Sequence, residues 1–81
     1  MNSFNLTIIT PQSTVFDGEA EYLNLPTEDG LYGIEAHHSN VIVSLSQGKL
    51  SYTAGGEKHS LHIEGGIMHF AENAAKVIAR I

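Results

Sequence analysis

Apolar side chains recur at every second position along most of this chain, and that spacing constrains its fold more than any other feature. Phe4, Leu6 and Ile8 alternate with polar residues, and residues 50–54 show the same alternation. A period of two is typical of a β-strand with one buried face, because successive side chains of a strand point to opposite sides. The pattern therefore predicts an all-β protein.

Turn-forming residues divide this pattern into short segments. Such turn signals are Asp17-Gly18, Thr27-Glu28-Asp29-Gly30, Gln47-Gly48, Gly55-Gly56 and Asn73-Ala74. Glycine adopts positive φ without strain, and Asp and Asn bond to their own backbone, so these residues favour tight turns. Turns that recur about every 8–12 residues indicate a sandwich or a barrel. We expect one domain over residues 1–81, a two-sheet antiparallel β-sandwich (a flattened barrel) of about eight to ten short strands.

Two segments give mixed signals. Residues 71–76 favour a helix by composition. However, no N-cap precedes this segment, and the β-branched Val77-Ile78 follow it. We therefore expect a turn and then a last strand over 76–81. In the segment 41–45, Ile42 stands between two valines. That run predicts a strand that is buried on both sides near its start.

Charge and length exclude several classes of function. The 81 residues include nine Asp and Glu against four Lys and Arg, for a net charge of −5. That balance argues against nucleic-acid binding and suits a partner with basic loops. No apolar run approaches the roughly 20 residues that span a bilayer, so direct membrane insertion is not expected. Cysteine is absent from the sequence, which excludes disulfides and thiolate chemistry.

Residues that could carry chemistry do not form a recognisable constellation, and we predict no catalytic, cofactor-binding or metal-binding residues. His59 and His62 are three apart, which places them on opposite faces of a strand, and a zinc site needs three or four converging ligands. A two-histidine site assembled from distant strands stays open. Gly65-Gly66 precedes no helix, so it predicts a bulge or a close backbone approach rather than a phosphate loop.

The chain resembles the N-terminal domain of the epsilon subunit of F-type ATP synthases, which is called delta in mitochondria. The likeness extends over essentially the whole chain and rests on the order and spacing of several short motifs. The matching segments are Ile9-Thr10-Pro11, Val15-Phe16-Asp17-Gly18-Glu19, Leu25 to Gly30, Gly33-Ile34, His38, Leu45, Gly48-Lys49-Leu50, Gly65-Gly66-Ile67 and Asn73 to Ala79.

Two departures from the family pattern are visible. The family has Pro-Gly-His-Ala-Pro around its histidine, whereas this chain has Ala36-His37-His38-Ser39-Asn40, so we expect a different path for this loop. Many members continue into a helical hairpin that blocks rotation and in some cases binds ATP. This sequence stops at Ile81, and if that length is natural, the resemblance implies that both features are missing.

The resemblance implies a non-catalytic rotor subunit of the central stalk that docks the gamma subunit onto the c-ring and couples ion transport to ATP synthesis. It implies a peripheral location in F1, on the cytoplasmic face of the bacterial inner membrane, and no cofactor. We expect contact with the polar loops of the c-ring at Glu28, Asp29, Gly30 and Leu31. We expect contact with gamma at Thr10, His38 and Ile42.

Two other functions remain open at the level of the residues. A stand-alone β-sandwich that binds a small ligand or a carbohydrate would need an exposed aromatic platform, and Tyr32 is the best candidate for one. A small metal-dependent enzyme would need converging histidines, which the strand phases argue against.

Overall fold

The computed structural model describes residues 2–81, and this range forms nine strands and no helix. The strands are β1 (Phe4–Ile9), β2 (Thr14–Ala20), β3 (Tyr22–Thr27), β4 (Gly30–Glu35), β5 (Val41–Leu45), β6 (Gly48–Ala54), β7 (Glu57–Ile63), β8 (Gly65–Ala71) and β9 (Ala74–Arg80). The predicted all-β class and strand number are confirmed. The segment with the helix-like composition is a turn followed by β9, as expected.

The strands form two separate sheets that do not close into a barrel. One has five strands in the order β2-β1-β9-β8-β5, and the other has four in the order β4-β3-β6-β7. Neighbours are antiparallel except β1 and β9, which run parallel with Ile9 beside Ile78. Alternation within a strand does not reveal its neighbour, so this parallel pair has no signal in the sequence.

The inward faces of both sheets supply the core. Phe4, Leu6 and Ile8 of β1 are buried, as their alternation predicts, and the rings of Phe4 and Phe70 meet edge to face at 5.7 Å. The other large side chains with almost no exposure are Leu23, Leu25, Ile34, Leu50, Ile63, Met68 and Val77. Two close-packed layers of this kind form a stiff block with little internal free volume.

Two local predictions are wrong. Asp17-Gly18 forms no turn, because β2 continues through it and pairs with Thr7 and Leu6 of β1. The hydrogen bonds of this ladder outweigh the local turn preference of the two residues. Ile42 is 65% exposed, so β5 is not buried on both faces at its start. Its side chain lies on the outer face of the five-stranded sheet, which no other element in residues 2–81 covers.

The glycine pairs have the roles that were predicted for them. Gly55 and Gly56 link β6 to β7 with φ of 60° and 79°, the backbone of a two-residue hairpin turn. Gly66 lies in β8, where a Cβ atom would overlap the carbonyl oxygen of Ile78. The second pair therefore marks a close backbone approach inside the sheet.

Candidate docking surfaces

An acidic turn, Thr27 to Leu31, projects from the tip of the β3–β4 hairpin. The Thr27 hydroxyl donates to the Gly30 carbonyl at 2.7 Å and accepts from the Asp29 N–H at 3.2 Å. Gly30 has φ of 112°, a conformation that favours glycine. These bonds hold Glu28 and Asp29 in solvent, and Leu31 is 68% exposed. Residues 28–31, predicted to contact a partner, thus form one exposed patch.

Thr10 lies at the end of β1 and is 4% exposed. Its hydroxyl donates to the Ser13 carbonyl at 3.2 Å and accepts from the N–H groups of Gln12 and Ser13 at 3.3 and 3.2 Å. All of these bonds lie within the link between β1 and β2. The side chain therefore stabilises a turn, and its predicted contact with gamma stays a prediction.

His38 is half-buried in the link between β4 and β5. Its Nδ1–H donates to the Ser39 carbonyl at 2.8 Å, which leaves Nε2 to accept from the Tyr32 hydroxyl at 3.4 Å. The imidazole also meets the edge of the Phe70 ring, with 5.9 Å between centroids. Packing and hydrogen bonds thus hold the ring of His38 in one orientation, and they also occupy the hydroxyl of Tyr32.

The loop around His38 is anchored to the β8–β9 turn. The His37 N–H donates to Asn73 Oδ1 at 2.7 Å, and the Glu72 N–H donates to Asn40 Oδ1 at 3.4 Å. His37 itself has φ of 65°, a conformation that is uncommon for a residue with a side chain. These cross-links hold the loop although the glycine and prolines of the family pattern are missing.

An apolar patch on the outer face of the five-stranded sheet was missed by the sequence reasoning. Ile67 is paired with Ile78 in the register of β8 and β9, and Ile78 is paired with Ile9 in the register of β9 and β1. Ile67 and Ile78 are 47% and 49% exposed, and Ile42 lies diagonally across from Ile67. We call Ile9, Ile42, Ile67 and Ile78 the isoleucine patch. Adjacent apolar pairs such as Ile67-Met68 carried a signal for it, because one member of each pair must face outward.

A groove of about 420 Å³ separates β5 from the acidic turn. It is lined by residues 41–46 and by Thr27, Glu28, Asp29 and Tyr32. Ile42 therefore borders the same groove as the two carboxylates. His38 precedes β5, whereas Thr10 follows β1 at the far end of the sheet, so the structure does not bring these two predicted contacts together.

The two histidines of β7 have different surroundings. Within residues 2–81, no three His, Asp or Glu side chains group closely enough to hold a metal ion. His59 stacks on Tyr52 with 5.2 Å between ring centroids, while His62 points to solvent beside Glu64. Burial raises the pKa of the Tyr52 phenol above its ordinary value of 10.0. None of the elements in this range is a helix that could cross a membrane.

Known proteins resemble this chain in sequence over its full length. The family model of the "ATP synthase, Delta/Epsilon chain, beta-sandwich domain" matches residues 3–81. The ATP synthase epsilon chain of Nitrobacter winogradskyi is 28% identical over 81 residues, and that of Rhodopseudomonas palustris strain BisB5 is 30% identical over 81 residues. Each alignment covers 100% of this chain and 60% of the relative, so the chain spans less than two thirds of the length of these relatives.

Two solved structures share the fold. A chain of the Euglena gracilis mitochondrial ATP synthase, described as OSCP/F1/c-ring, superposes with a TM-score of 0.87 at 21% identity, over 95% of this chain and 50% of that one. A chain of the central stalk and c-ring of the Tetrahymena thermophila mitochondrial enzyme gives a TM-score of 0.81 at 14% identity, over 95% and 63%. At these identities the superpositions show only that the fold is shared, whereas the match to the family model shows membership of the family. On that match over residues 3–81, the chain belongs to the family of the ATP synthase delta/epsilon chain, beta-sandwich domain.

Proposed function

We propose that this chain is a non-catalytic rotor subunit of an F-type ATP synthase, which docks the gamma subunit onto the c-ring and so couples ion translocation to ATP synthesis. The observation that carries the proposal is the family match over residues 3–81. It also implies a peripheral position in F1, at the cytoplasmic face of the bacterial inner membrane. The chemistry of the complex then resides in other subunits.

The structure supports such a role through its rigidity and its surfaces. The core fills the space between two sheets with large side chains that have almost no exposure. A close-packed block of this kind transmits load with little deformation, as a rotor joint requires. Its most distinctive exposed features are the acidic turn and the isoleucine patch, which suits a protein that acts by docking.

For the c-ring we propose contact through Glu28, Asp29, Gly30 and Leu31. The two carboxylates stand at the tip of a hairpin, and within residues 2–81 neither is paired with a basic side chain. Leu31 adds an exposed apolar side chain to the same patch. Basic residues in the polar loops of the ring would complement this charge, and such rim pairs govern registration and association rate.

For gamma we propose contact through the isoleucine patch, which includes Ile42, and through His38 in the loop before β5. Ile42 and Ile78 are 65% and 49% exposed, and removing such apolar side chains from water favours association. Thr10 has its side chain engaged within its own turn, so any contribution it makes to this contact is through the shape of that turn.

Charge reversal tests the proposed contact with the c-ring. The double variant Glu28→Lys and Asp29→Lys should weaken binding to a purified complex of gamma and c-ring about tenfold at low salt, since opposite charges become like charges. The loss should shrink as salt increases, because salt screens exposed charges. Surface plasmon resonance at two salt concentrations measures both effects.

A charge-matched control separates this contact from a change in net charge. The variant Glu57→Lys and Glu64→Lys alters the net charge equally and leaves the acidic turn unchanged, since Glu57 begins β7 and Glu64 directly follows it. It should bind like the parent chain. Equal losses in both variants would refute the c-ring contact, and failure of the parent chain to bind either subunit would refute the proposed function.

A further inference from the structure

Among the sheet edges in residues 2–81, β5 has the least protection against pairing. The other three edge strands contain charged residues, namely Asp17 and Glu19 in β2, Glu35 in β4, and Glu57 and Lys58 in β7. β5 has the sequence Val-Ile-Val-Ser-Leu, with no charge and no proline, and its register shows no bulge. Proteins use these devices to prevent an edge from accepting another strand. An edge without charge, proline or a bulge can therefore pair with another strand.

The turn between β8 and β9 shows which residues of β8 bond to β9. Glu72 and Asn73 have φ of 52° and 59°, as in a two-residue hairpin turn of type I′. In such a hairpin the flanking residues, Ala71 and Ala74, form a hydrogen-bonded pair. Bonded pairs alternate along an antiparallel ladder, so the odd-numbered residues of β8 bond to β9 and the even-numbered ones to β5.

The same alternation shows which groups of β5 face away from the sheet. The even-numbered residues of β8 are paired with the odd-numbered residues of β5. Ile42 and Ser44 therefore direct their backbone N–H and C=O groups outward. Ser46, the next even-numbered residue, also directs its N–H away from β8, because this N–H donates to the Pro26 carbonyl of β3 at 2.9 Å. Within residues 2–81, no other backbone hydrogen bond reaches the outer side of β5.

The groove lies along this free edge and is acidic. Its volume of about 420 Å³ is within the range of about 300–1,000 Å³ that is typical of binding clefts. Among residues 2–81, Glu28 and Asp29 are the charged residues that line it. A second copy of this chain, with a net charge of −5, would bring like charge to the groove. A basic partner would gain from the same field.

We propose that β5 accepts an extended segment of a partner protein as a sixth strand of the five-stranded sheet, and that this segment carries a basic side chain facing Glu28 and Asp29. The outward groups of Ile42 and Ser44 supply the hydrogen bonds of the new ladder. Strand addition of this kind takes affinity from the main chain and selectivity from neighbouring side chains. The proposal does not depend on which subunits the chain joins.

A blocked eight-residue peptide that alternates lysine with valine is the probe, and the matched peptide has glutamate in place of lysine. Both are titrated into the isotope-labelled chain, and amide hydrogen exchange is followed by NMR. The lysine peptide should slow exchange at Ile42 and Ser44 about tenfold or more, because new ladder bonds protect these amides. The glutamate peptide should leave them unchanged. Equal effects of the two peptides, no protection, or protection at β2, β4 or β7 instead would overturn the proposal.

A pair of variants at one residue tests the backbone donor directly. Ser44→Pro removes an N–H that lies outside the β5–β8 ladder, and proline is tolerated at such an edge position. Ser44→Ala loses the same hydroxyl but keeps the N–H. The proline variant should bind the lysine peptide about tenfold more weakly than the alanine variant. Equal binding would overturn the proposal.

A third variant tests the charge and does not touch the strand. Glu28→Gln with Asp29→Asn should weaken binding of the lysine peptide about fivefold and remove its advantage over the glutamate peptide. An unchanged preference for lysine would show that the acidic turn does not select the partner, and would refute that part of the proposal. Because this variant leaves β5 intact, the test stands even if the proline variant fails to fold.

Discussion

At the scale of single residues, several polar side chains near strand ends have structural tasks inside the chain. The Thr10 hydroxyl is engaged with Gln12 and Ser13. The Asn73 side chain accepts from the His37 N–H and donates to the Ser3 carbonyl at 3.0 Å, which ties three distant segments together. In a thin sandwich, short links between strands depend on such bonds because little core lies beneath them.

Tyr52 makes stability depend on pH in the alkaline range. Burial raises the pKa of its phenol, so the folded state favours the neutral form. The stability this provides is fully present below pH 10.0, the ordinary pKa, and is lost as pH rises through the folded pKa, because the unfolded chain releases the proton first. Urea unfolding between pH 8 and pH 11 should show the decline, and Tyr52→Phe should make it shallower.

Tyr22 supplies the matched control, since it is 38% exposed and loses the same hydroxyl in Tyr22→Phe. That variant should keep the decline of the parent chain. Identical pH profiles for Tyr52→Phe and the parent would mean that Tyr52 does not cause the effect.

At the scale of elements, the loop before β5 and the β8–β9 turn form one unit. The loop contains His38, which packs against Phe70 of β8, and it receives a hydrogen bond from Glu72 in the turn. This unit sets the start of β5, and β5 in turn borders the groove and presents Ile42. A substitution in the β8–β9 turn should therefore change the stability of the loop before β5.

Asn73→Gly should loosen the loop while leaving the turn intact. Glycine adopts the positive φ of 59° at this position, but both hydrogen bonds of the side chain are lost. Amide exchange at His37 should become about tenfold faster, since its acceptor is gone. Asn73→Asp is the control, because it keeps an oxygen that accepts from His37 and should preserve the protection. Equal exchange in the two variants would contradict the proposed anchor.

At the scale of the whole molecule, an inner core and an outer docking surface are separate. Within residues 2–81, seventeen apolar residues are buried between the sheets, whereas the acidic turn and the isoleucine patch are exposed. A domain of this size has a stability of only about 5–15 kcal/mol, so a single core defect removes a large share of it. Stability and docking can therefore be altered independently.

Two leucines that are six residues apart test this separation. Leu25→Ala should lower the free energy of unfolding by about 2–5 kcal/mol, because Leu25 has no exposure and leaves a cavity. Leu31→Ala should lower it by less than about 0.5 kcal/mol, since Leu31 is 68% exposed. Denaturant unfolding measures both. We expect Leu31→Ala to weaken c-ring binding and the folded form of Leu25→Ala to bind like the parent chain. A large loss of stability in Leu31→Ala would contradict the assignment of Leu31 to the docking surface.

Much of the fold could be predicted from local pattern. The alternation of Phe4, Leu6 and Ile8 predicted a buried face, and Gly55-Gly56 predicted a hairpin, because strand period and turn conformation depend on adjacent residues. The acidic turn was predicted for the same reason. Family resemblance, rather than pattern, supplied the expectation of a stalk subunit.

Contacts between distant residues decided the rest. The parallel pairing of β1 with β9, the extended path through Asp17-Gly18 and the exposure of Ile42 all depend on which strands become neighbours and which become edges. The same is true of the isoleucine patch, whose members come from four strands. Local spacing determines which residues share a face of a strand, but only the assembled sheets determine whether that face meets the core or the solvent.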